Sequence, residues 1–268
     1  MVAEMLWEGG YNMKKFSESK NPLLTAMFGG KTQDEFIDLI KKSNSQGAEA
    51  FCLLMQGIDP AFKNKESYKR IFDAAEGKPI YVTNYIRDNS EEDKSDDRLA
   101  EELIEMLTCG ADMIDVRADM FLPSADEFTK DAAAVKKQAD FISEIHNMGG
   151  EVIMSAHIFE YRSPSQVLEI AKHQLKRGAD IAKVVTVADS LKELDDAFET
   201  IFLLKKELEK PFLYLCNGTH CIKHRNIGPL LGTKFYLCLE NSNTGGPQPT
   251  IEKAKFIRDT VLGGDFNE

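Results

Sequence analysis

The sequence predicts one (β/α)8 barrel domain over residues 1–268, with residues 1–20 as an extension that caps the barrel and residues 21–268 as the barrel itself. Two observations predict this fold. Eight short apolar runs alternate with amphipathic stretches along the whole chain, and about 250 residues suffice for eight strand–helix units. A doubly wound open sheet is the alternative, but no G-x-G-x-x-G motif follows the first apolar run, which weakens a dinucleotide-binding fold.

Each apolar run has the length of a buried strand in a parallel sheet. In chain order the predicted strands are 23–28, 50–54, 80–85, 113–116, 151–155, 181–187, 212–216 and 235–239. Apolar residues recur three or four positions apart in the stretches between them, which predicts helices at 32–43, 97–107, 165–176 and 190–208. The charged segment 87–97 is predicted to be a loop after the third strand.

A short motif recurs before the second, fourth and sixth predicted strands. Each copy has glycine followed by alanine and an acid, and the glycines are Gly47, Gly110 and Gly178. A glycine at the end of a helix readily adopts the left-handed conformation that terminates it. The motif therefore predicts three helix ends at regular intervals of two strand–helix units.

Composition narrows the class of protein and its partners. The 268 residues carry a net charge of -11, which disfavours binding to a phosphate backbone, so no nucleic acid partner is expected. No apolar stretch approaches the ~20 residues that span a bilayer, so no membrane association is expected either. Five cysteines without a C-x-x-C motif are typical of a reduced cytoplasmic protein. Cys216 and Cys221, interleaved with histidines, fit no standard zinc spacing, and no metal is predicted.

Two polar residues interrupt the predicted strands where a barrel carries its chemistry, toward the C-terminal ends. Lys183 lies inside the sixth apolar run. It could extend outward, pair with an acid such as Asp180, or serve as a desolvated amine that forms a Schiff base with a ketone. His157 follows the fifth run and is either a packed structural histidine or a proton shuttle.

Further polar residues follow other strands and carry two interpretations each. Arg225 after the seventh strand is either part of a solvated loop or a clamp for a substrate carboxylate. Arg117 and Asp119 after the fourth strand form either a structural ion pair or part of a site. Gln248 lies in a Gly-Pro loop after the eighth strand, where it is either a turn residue or a ligand contact.

Several of these motifs together resemble type I 3-dehydroquinate dehydratase. They are Met-Ser-Ala-His-Ile-Phe at 154–159, the spacing from it to Lys183, the Arg-x-x-Gly-x-x-x-Gly of 225–232, and the tail with Thr244 and Pro247-Gln248. The resemblance implies a (β/α)8 barrel, no cofactor, and a small carboxylated ketone as substrate. It implies dehydration of 3-dehydroquinate in the shikimate pathway of aromatic amino acid biosynthesis. Barrels of this kind often form homodimers, so a homodimer is considered as well.

The resemblance also implies roles for individual residues. Lys183 corresponds to the Schiff-base lysine and His157 to the general acid/base. Arg225 corresponds to the carboxylate-binding arginine, and Thr244 and Gln248 correspond to the closing loop after the eighth strand. Arg87 and Glu91 keep the spacing of an arginine and a glutamate that orients the histidine.

One part of the family pattern is missing. The family carries Glu-x-Arg after the second strand, where it holds substrate hydroxyls, whereas this chain has Cys52 and Leu54 at those positions. Arg117, in an acid-x-Arg pattern two strands later, is a candidate to replace the lost polar contacts. Two alternatives therefore stay open: a Schiff-base lyase or aldolase for another carboxylated ketone, and a non-catalytic barrel that binds a small anion.

Overall fold

The computed structural model describes residues 16–85, 95–243 and 245–263, and eight strands alternate with eight helices in them. In chain order these elements are β1 Leu23–Gly29, α1 Gln33–Ser45, β2 Ala50–Leu54, α2 Lys65–Asp73, β3 Ile80–Thr83, α3 Asp96–Thr108, β4 Met113–Arg117, α4 Ala132–Asn147, β5 Glu151–His157, α5 Pro164–Lys176, β6 Ile181–Val187, α6 Leu191–Glu207, β7 Phe212–Asn217, α7 Cys221–Leu231, β8 Phe235–Cys238 and α8 Ile251–Leu262. None of the helices in the described part of the chain is both long and apolar enough to cross a bilayer.

All strand pairs are parallel, in the order β7-β6-β5-β4-β3-β2-β1-β8. The two outer strands also approach each other, since the backbone N–H of Lys234 donates to the carbonyl of Phe212 at 2.9 Å. The sheet is thus a nearly closed barrel. The predicted (β/α)8 fold is confirmed, and the open doubly wound alternative is wrong.

The helices begin and end at the residues that the sequence marks for these roles. Thr32 and Ser190 cap α1 and α6 by accepting backbone N–H groups of the first turn, and both predicted helix starts fall at these caps. Gly47, Gly110 and Gly178 have φ of 95°, 116° and 115°, which confirms the predicted left-handed helix ends. Strand ends shift by up to two residues, and the extension of β5 brings His157 into the strand.

Alternate residues of each strand point into the barrel, so the sheet has two separate apolar layers. The outer layer lies between the strands and the helices. The inner layer fills the barrel and includes Cys52, Tyr81, Val185 and Phe235. Because alternation fixes the side on which each residue lies, Lys183, two residues before Val185, also points inward.

Residues 16–18 close the N-terminal end of the barrel. Phe16 is fully buried in the inner layer, with its ring edge-on to Phe235 at a centroid distance of 5.6 Å. Its backbone N–H donates to the Glu151 carboxylate at 2.5 Å, and the N–H of Ser17 donates to the same group at 3.1 Å. The first part of the predicted cap, residues 1–15, lies outside the described residues.

Candidate active site

The buried lysine of β6 is the centre of a polar cluster inside the barrel. Lys183 is only 4% exposed. Its Nζ donates to the hydroxyl of Tyr85 at 2.7 Å, to the hydroxyl of Tyr81 at 3.0 Å and to Oδ2 of Asp115 at 3.1 Å. An ammonium group has three N–H bonds, so this arrangement uses its full donor capacity.

Asp115 on β4 supplies the negative charge of the cluster. Its Oδ2 also accepts hydrogen bonds from Tyr81 and Tyr85, and its Oδ1 accepts one from Ser155 at 2.5 Å. Burial, reinforced by the Asp115 charge, raises the pKa of both phenols well above the ordinary value. Both tyrosines are therefore neutral proton donors at physiological pH, next to one cation and one anion.

The predicted alternatives for Lys183 are resolved by this geometry. It does not extend outward, and its pairing with Asp180 is wrong. Asp180 lies before the start of β6, where it accepts from the backbone N–H of Val152 and contacts Nε2 of His146, both at 2.8 Å. Three residues along a strand turn Lys183 to the opposite face and about 10 Å further along the barrel, so the two charges cannot meet.

His157 ends β5 at the C-terminal mouth of the barrel, and its side chain is 23% exposed. Its Nδ1 and its backbone N–H contact one oxygen of Glu127, at 2.8 and 3.1 Å. The imidazole packs edge-on against Tyr85 with ring centroids 5.2 Å apart. With Nδ1–H donating to the carboxylate, the neutral ring carries its lone pair on Nε2. Tyr85 thus contacts both the lysine and the histidine.

Glu127 was not anticipated from the sequence. It lies in the loop between β4 and α4, with a left-handed φ of 47° that is unfavourable for a residue with a side chain. Burial raises the pKa of its carboxyl, but the hydrogen bonds and charge of His157 outweigh burial, and the net pKa is lowered. The expected orienting acid, Glu91, lies with Arg87 outside the described residues. The sequence feature that could have identified Glu127 is an acidic residue in the loop after the fourth strand.

Arg117, at the end of β4, holds the neighbouring parts of the site. Its Nη1 donates to the backbone carbonyl of Tyr85 at 3.1 Å, and its Nη2 lies 3.0 Å from Oδ1 of Asp119. The predicted Arg117–Asp119 ion pair is confirmed. Its charge also lowers the pKa of Glu127. In this structure Arg117 is engaged by protein groups near the mouth of the barrel.

Arg225 lies in α7 and is 5% exposed, so its interpretation as part of a solvated loop is wrong. Its Nε donates to the carbonyl of Cys216 at 2.8 Å and its Nη2 to Oδ1 of Asn217 at 2.7 Å. Its Nη1 is buried and has no hydrogen-bond partner among the described residues. Burial lowers the pKa of this group. A buried cation of this kind at the end of β7 suits an anionic ligand.

The remaining predicted residues lie in the loop after β8 and on the second strand. Gln248 is partly exposed, and its amide makes no hydrogen bond to any residue that the structure describes; Thr244 lies outside those residues. Cys52 is buried in the inner layer, and Leu54 packs against that layer at the mouth. The two positions thus face the barrel interior, where burial raises the pKa of the Cys52 thiol to about 12.

The fold and the cluster together define a class of protein: a (β/α)8 barrel with a buried lysine and a histidine–carboxylate pair at its C-terminal mouth. Residues 30–261 match the type I 3-dehydroquinase family, and the chain belongs to this family. The search for groups of three or more His, Cys, Asp or Glu able to hold a metal ion finds none in the described parts of the chain.

Solved structures agree with the fold. A 3-dehydroquinate dehydratase from Geobacillus kaustophilus HTA426 is similar with a TM-score of 0.77 and 15% identity, covering 92% of this chain and 94% of that one. The type I enzyme of Clostridium difficile is similar with a TM-score of 0.78 and 15% identity, covering 91% of this chain and 94% of that one. The 3-dehydroquinate dehydratase of Enterococcus faecalis is similar with a TM-score of 0.73 and 13% identity, covering 90% of this chain and 94% of that one. No curated protein matches the chain.

Proposed function

We propose that the protein is a Schiff-base-forming hydro-lyase that dehydrates a β-hydroxy ketone bearing a carboxylate, the reaction that converts 3-dehydroquinate to 3-dehydroshikimate and water. The observation that carries this proposal is the buried amine of Lys183, placed among two neutral phenols and a carboxylate, with Tyr85 in contact with His157. Family membership supports the reaction class. The proposed setting is the cytoplasmic shikimate pathway.

Imine formation begins with removal of a proton from Lys183. Asp115, 3.1 Å from Nζ, is the acceptor. The neutral amine then attacks the ketone carbon, and the C=O electron pair moves to oxygen. Tyr85, a neutral donor 2.7 Å from Nζ, protonates that oxygen and recovers its proton from the nitrogen. Asp115 returns its proton as the oxygen leaves as water, and the product is an iminium ion beside an ionised Asp115.

Elimination uses the histidine. Nε2 of His157 removes the α-proton, and the electron pair of that C–H bond moves toward the iminium nitrogen to form an enamine. Glu127 stabilises the resulting imidazolium, 2.8 Å from Nδ1. The enamine then expels the β-hydroxyl, which takes the proton from His157 and leaves as water. Hydrolysis of the conjugated iminium releases the enone and restores Lys183.

Arg225 is proposed to hold the substrate carboxylate. Its two bound nitrogens fix the guanidinium against the end of β7, and its buried Nη1 is left for a ligand oxygen. An anion there pairs the buried charge, which is otherwise costly. Gln248 and Thr244 are proposed to contact the substrate from the segment after β8, and Glu91 and Arg87 to act from the segment after β3.

Borohydride trapping tests the proposal. The protein is mixed with 3-dehydroquinate, reduced with borohydride and mapped by mass spectrometry, while enone absorbance follows dehydration. We expect a substrate-derived mass on Lys183 and none in a folded Lys183→Met variant. Comenic acid is a second probe, since the Clostridium difficile structure contains covalently modified comenic acid. A folded protein with neither adduct nor enone would overturn the proposal.

One observation favours a second candidate, a Schiff-base lyase or aldolase acting on another carboxylated ketone. Cys52 and Leu54 face the barrel interior and offer neither a carboxylate nor a guanidinium to substrate hydroxyls. The same trapping experiment with a panel of small keto acids separates the two. An adduct on Lys183 with a small keto acid, and none with 3-dehydroquinate, selects this second candidate.

A further inference from the structure

The mouth of the barrel has a polar side and an apolar side. The polar side consists of β3, β4, β5, β6 and β7, which carry the lysine cluster, the histidine and, at the end of β7, Asn217 with its bound Arg225. The apolar side consists of β8, β1 and β2. Its inward-facing side chains near the C-terminal ends of the strands are Met27, Cys52, Leu54 and Leu237.

The apolar side is a continuous surface. Met27 and Cys52 are direct partners in the β1–β2 ladder, and Leu54 lies two residues beyond Cys52 on the same face. Leu237 is 5% exposed in the same cluster. Met27 and Leu54 are only partly buried, so hydrocarbon lines the accessible end of this side.

Two polar side chains lie between the sides, and they bond to each other. The hydroxyl of Thr83, buried on β3, donates to Oε1 of Gln56 at 3.0 Å. Gln56 follows β2 in a short 3-10 turn, at Met55–Gly57. This hydrogen bond occupies the donor of Thr83, so the groups left for a ligand at this boundary are the amide N–H groups of Gln56 and the lone pairs of the Thr83 hydroxyl.

We propose that the preferred substrate is a cyclic β-hydroxy ketone carboxylate whose remaining ring carbons are plain hydrocarbon. The proposal rests on the proposed function, which fixes the reactive unit: the ketone at Lys183, the α-proton at His157 and the carboxylate at Arg225. All three groups lie on or next to the polar side, so the rest of the ring faces Met27 and Leu54. A hydroxyl there loses its bonds to water and gains none from these side chains.

The expected selectivity is considerable. An unpaired buried hydroxyl lowers binding by about ten- to a hundredfold. Unsubstituted ring carbons against Met27 and Leu54 instead bury apolar surface, which favours binding. A site of this composition therefore prefers the less hydroxylated of two substrates that share the same reactive unit.

The test compares two substrates, 3-dehydroquinate and 1-hydroxy-3-oxocyclohexane-1-carboxylate, with the unmodified protein. The second keeps the carboxylate, the ketone and the β-hydroxyl, and it lacks the two other ring hydroxyls. We expect kcat/KM, followed by enone absorbance, to be at least about tenfold higher for the second compound. A higher value for 3-dehydroquinate would overturn this inference while leaving the proposed function in place. If neither compound reacts or is trapped on Lys183, the proposed function itself fails.

Because two ketones differ in intrinsic reactivity, the ratio of their kcat/KM values is also compared between variants. Leu54→Asn adds a hydrogen-bonding group to the apolar side, and we expect it to shift the ratio toward 3-dehydroquinate by about tenfold. Leu262→Asn is the matched control, at the end of α8 on the opposite end of the barrel. Met27→Gln is the second variant if Leu54→Asn does not fold. An unchanged ratio in the folded variant overturns the inference.

Discussion

The two ends of the barrel both bury charged groups, but they use them differently. At the N-terminal end, Glu151 accepts from the backbone N–H groups of Phe16 and Ser17, and Lys234 donates to the carbonyls of Ser17 and Ser19. At the C-terminal end, the Lys183 amine donates to two phenols and a carboxylate, and all three groups can exchange protons.

This difference separates polar groups that hold the fold together from polar groups that can take part in a reaction. A carboxylate bound to backbone N–H groups fixes one chain segment against another and has no proton to pass on. A cluster of amine, phenols and carboxylate can redistribute its protons without moving the backbone. Arg225, with a buried nitrogen left without a described partner, adds the second mark of a ligand site. The comparison predicts that substitutions at one end affect activity and substitutions at the other affect stability.

The largest expected effect is that of Lys183→Met. It removes the amine that forms the imine, and we expect kcat/KM to fall by at least about 10⁴-fold. Activity is measured by enone absorbance, and circular dichroism establishes that the variant is folded. Retention of more than a tenth of the activity would show that another group does the chemistry.

Phe16→Ala is the counterpart at the N-terminal end. Phe16 is fully buried against Tyr81 and Phe235, and its truncation leaves a cavity. We expect the free energy of unfolding to fall by about 3–5 kcal/mol in urea titrations. The kcat/KM of the folded fraction should stay within about twofold of wild type, because Phe16 packs on the ring of Tyr81 whereas the proposed proton transfers use Tyr85 and Asp115. A loss of activity without a loss of stability would break the comparison.

Glu127→Gln tests the positioning of His157. The amide keeps the size of the side chain but removes the charge that stabilises the imidazolium, so we expect kcat to fall by about 10- to 100-fold. Asp126→Asn is the matched control: its carboxylate is half-exposed and pairs with Arg162. Equal effects of the two substitutions would exclude the positioning role.

The smallest expected effect concerns pH and stability, with opposite signs at the two ends. Burial raises the pKa of Glu151 above 4.5, so the folded state binds an extra proton above that pH and stability decreases as pH rises through the folded pKa. The lowered pKa of Glu127 gives stability that is present above 4.5 and lost as pH falls through its folded pKa. In urea titrations from pH 3 to pH 7, we expect Glu151→Gln and Glu127→Gln each to lose the pH-dependent part of the free energy of unfolding that its carboxylate contributes. Parallel curves for both variants would contradict this assignment.

Local patterns made the barrel predictable. The strands are apolar on both faces, and the apolar residues of the helices recur with a period of about 3.6 residues. Single residues mark the ends of helices, such as the cap Ser190 and the left-handed Gly178. The placement of Lys183 on the sixth strand and of His157 at the end of the fifth follows from the same apolar runs. These features need no knowledge of distant contacts, and the sequence is sufficient for them.

The partners of these residues were not predictable for the same reason. Asp115 lies 68 positions from Lys183 in the chain, and Glu127 lies 30 positions from His157. Both contacts depend on strand tilt and on a loop path that no local pattern records. The nearest acid in the sequence, Asp180, was the wrong partner for Lys183, since alternation along β6 separates them. The helix that carries Arg225 was not among the predicted helices, because α7 has a weak amphipathic pattern, with Gly228 and Pro229 inside it.

The saturated hydrogen bonding of Lys183 has a consequence for the protein at rest. Reducing sugars and stray aldehydes attack lysines through the free amine, and an ammonium with three engaged N–H groups offers none. Surface lysines such as Lys69 and Lys136, more than half exposed, are the ones such compounds meet first. The barrel thus protects this amine from glycation, and transfer of a proton from Nζ to Asp115 is the step that makes the amine reactive.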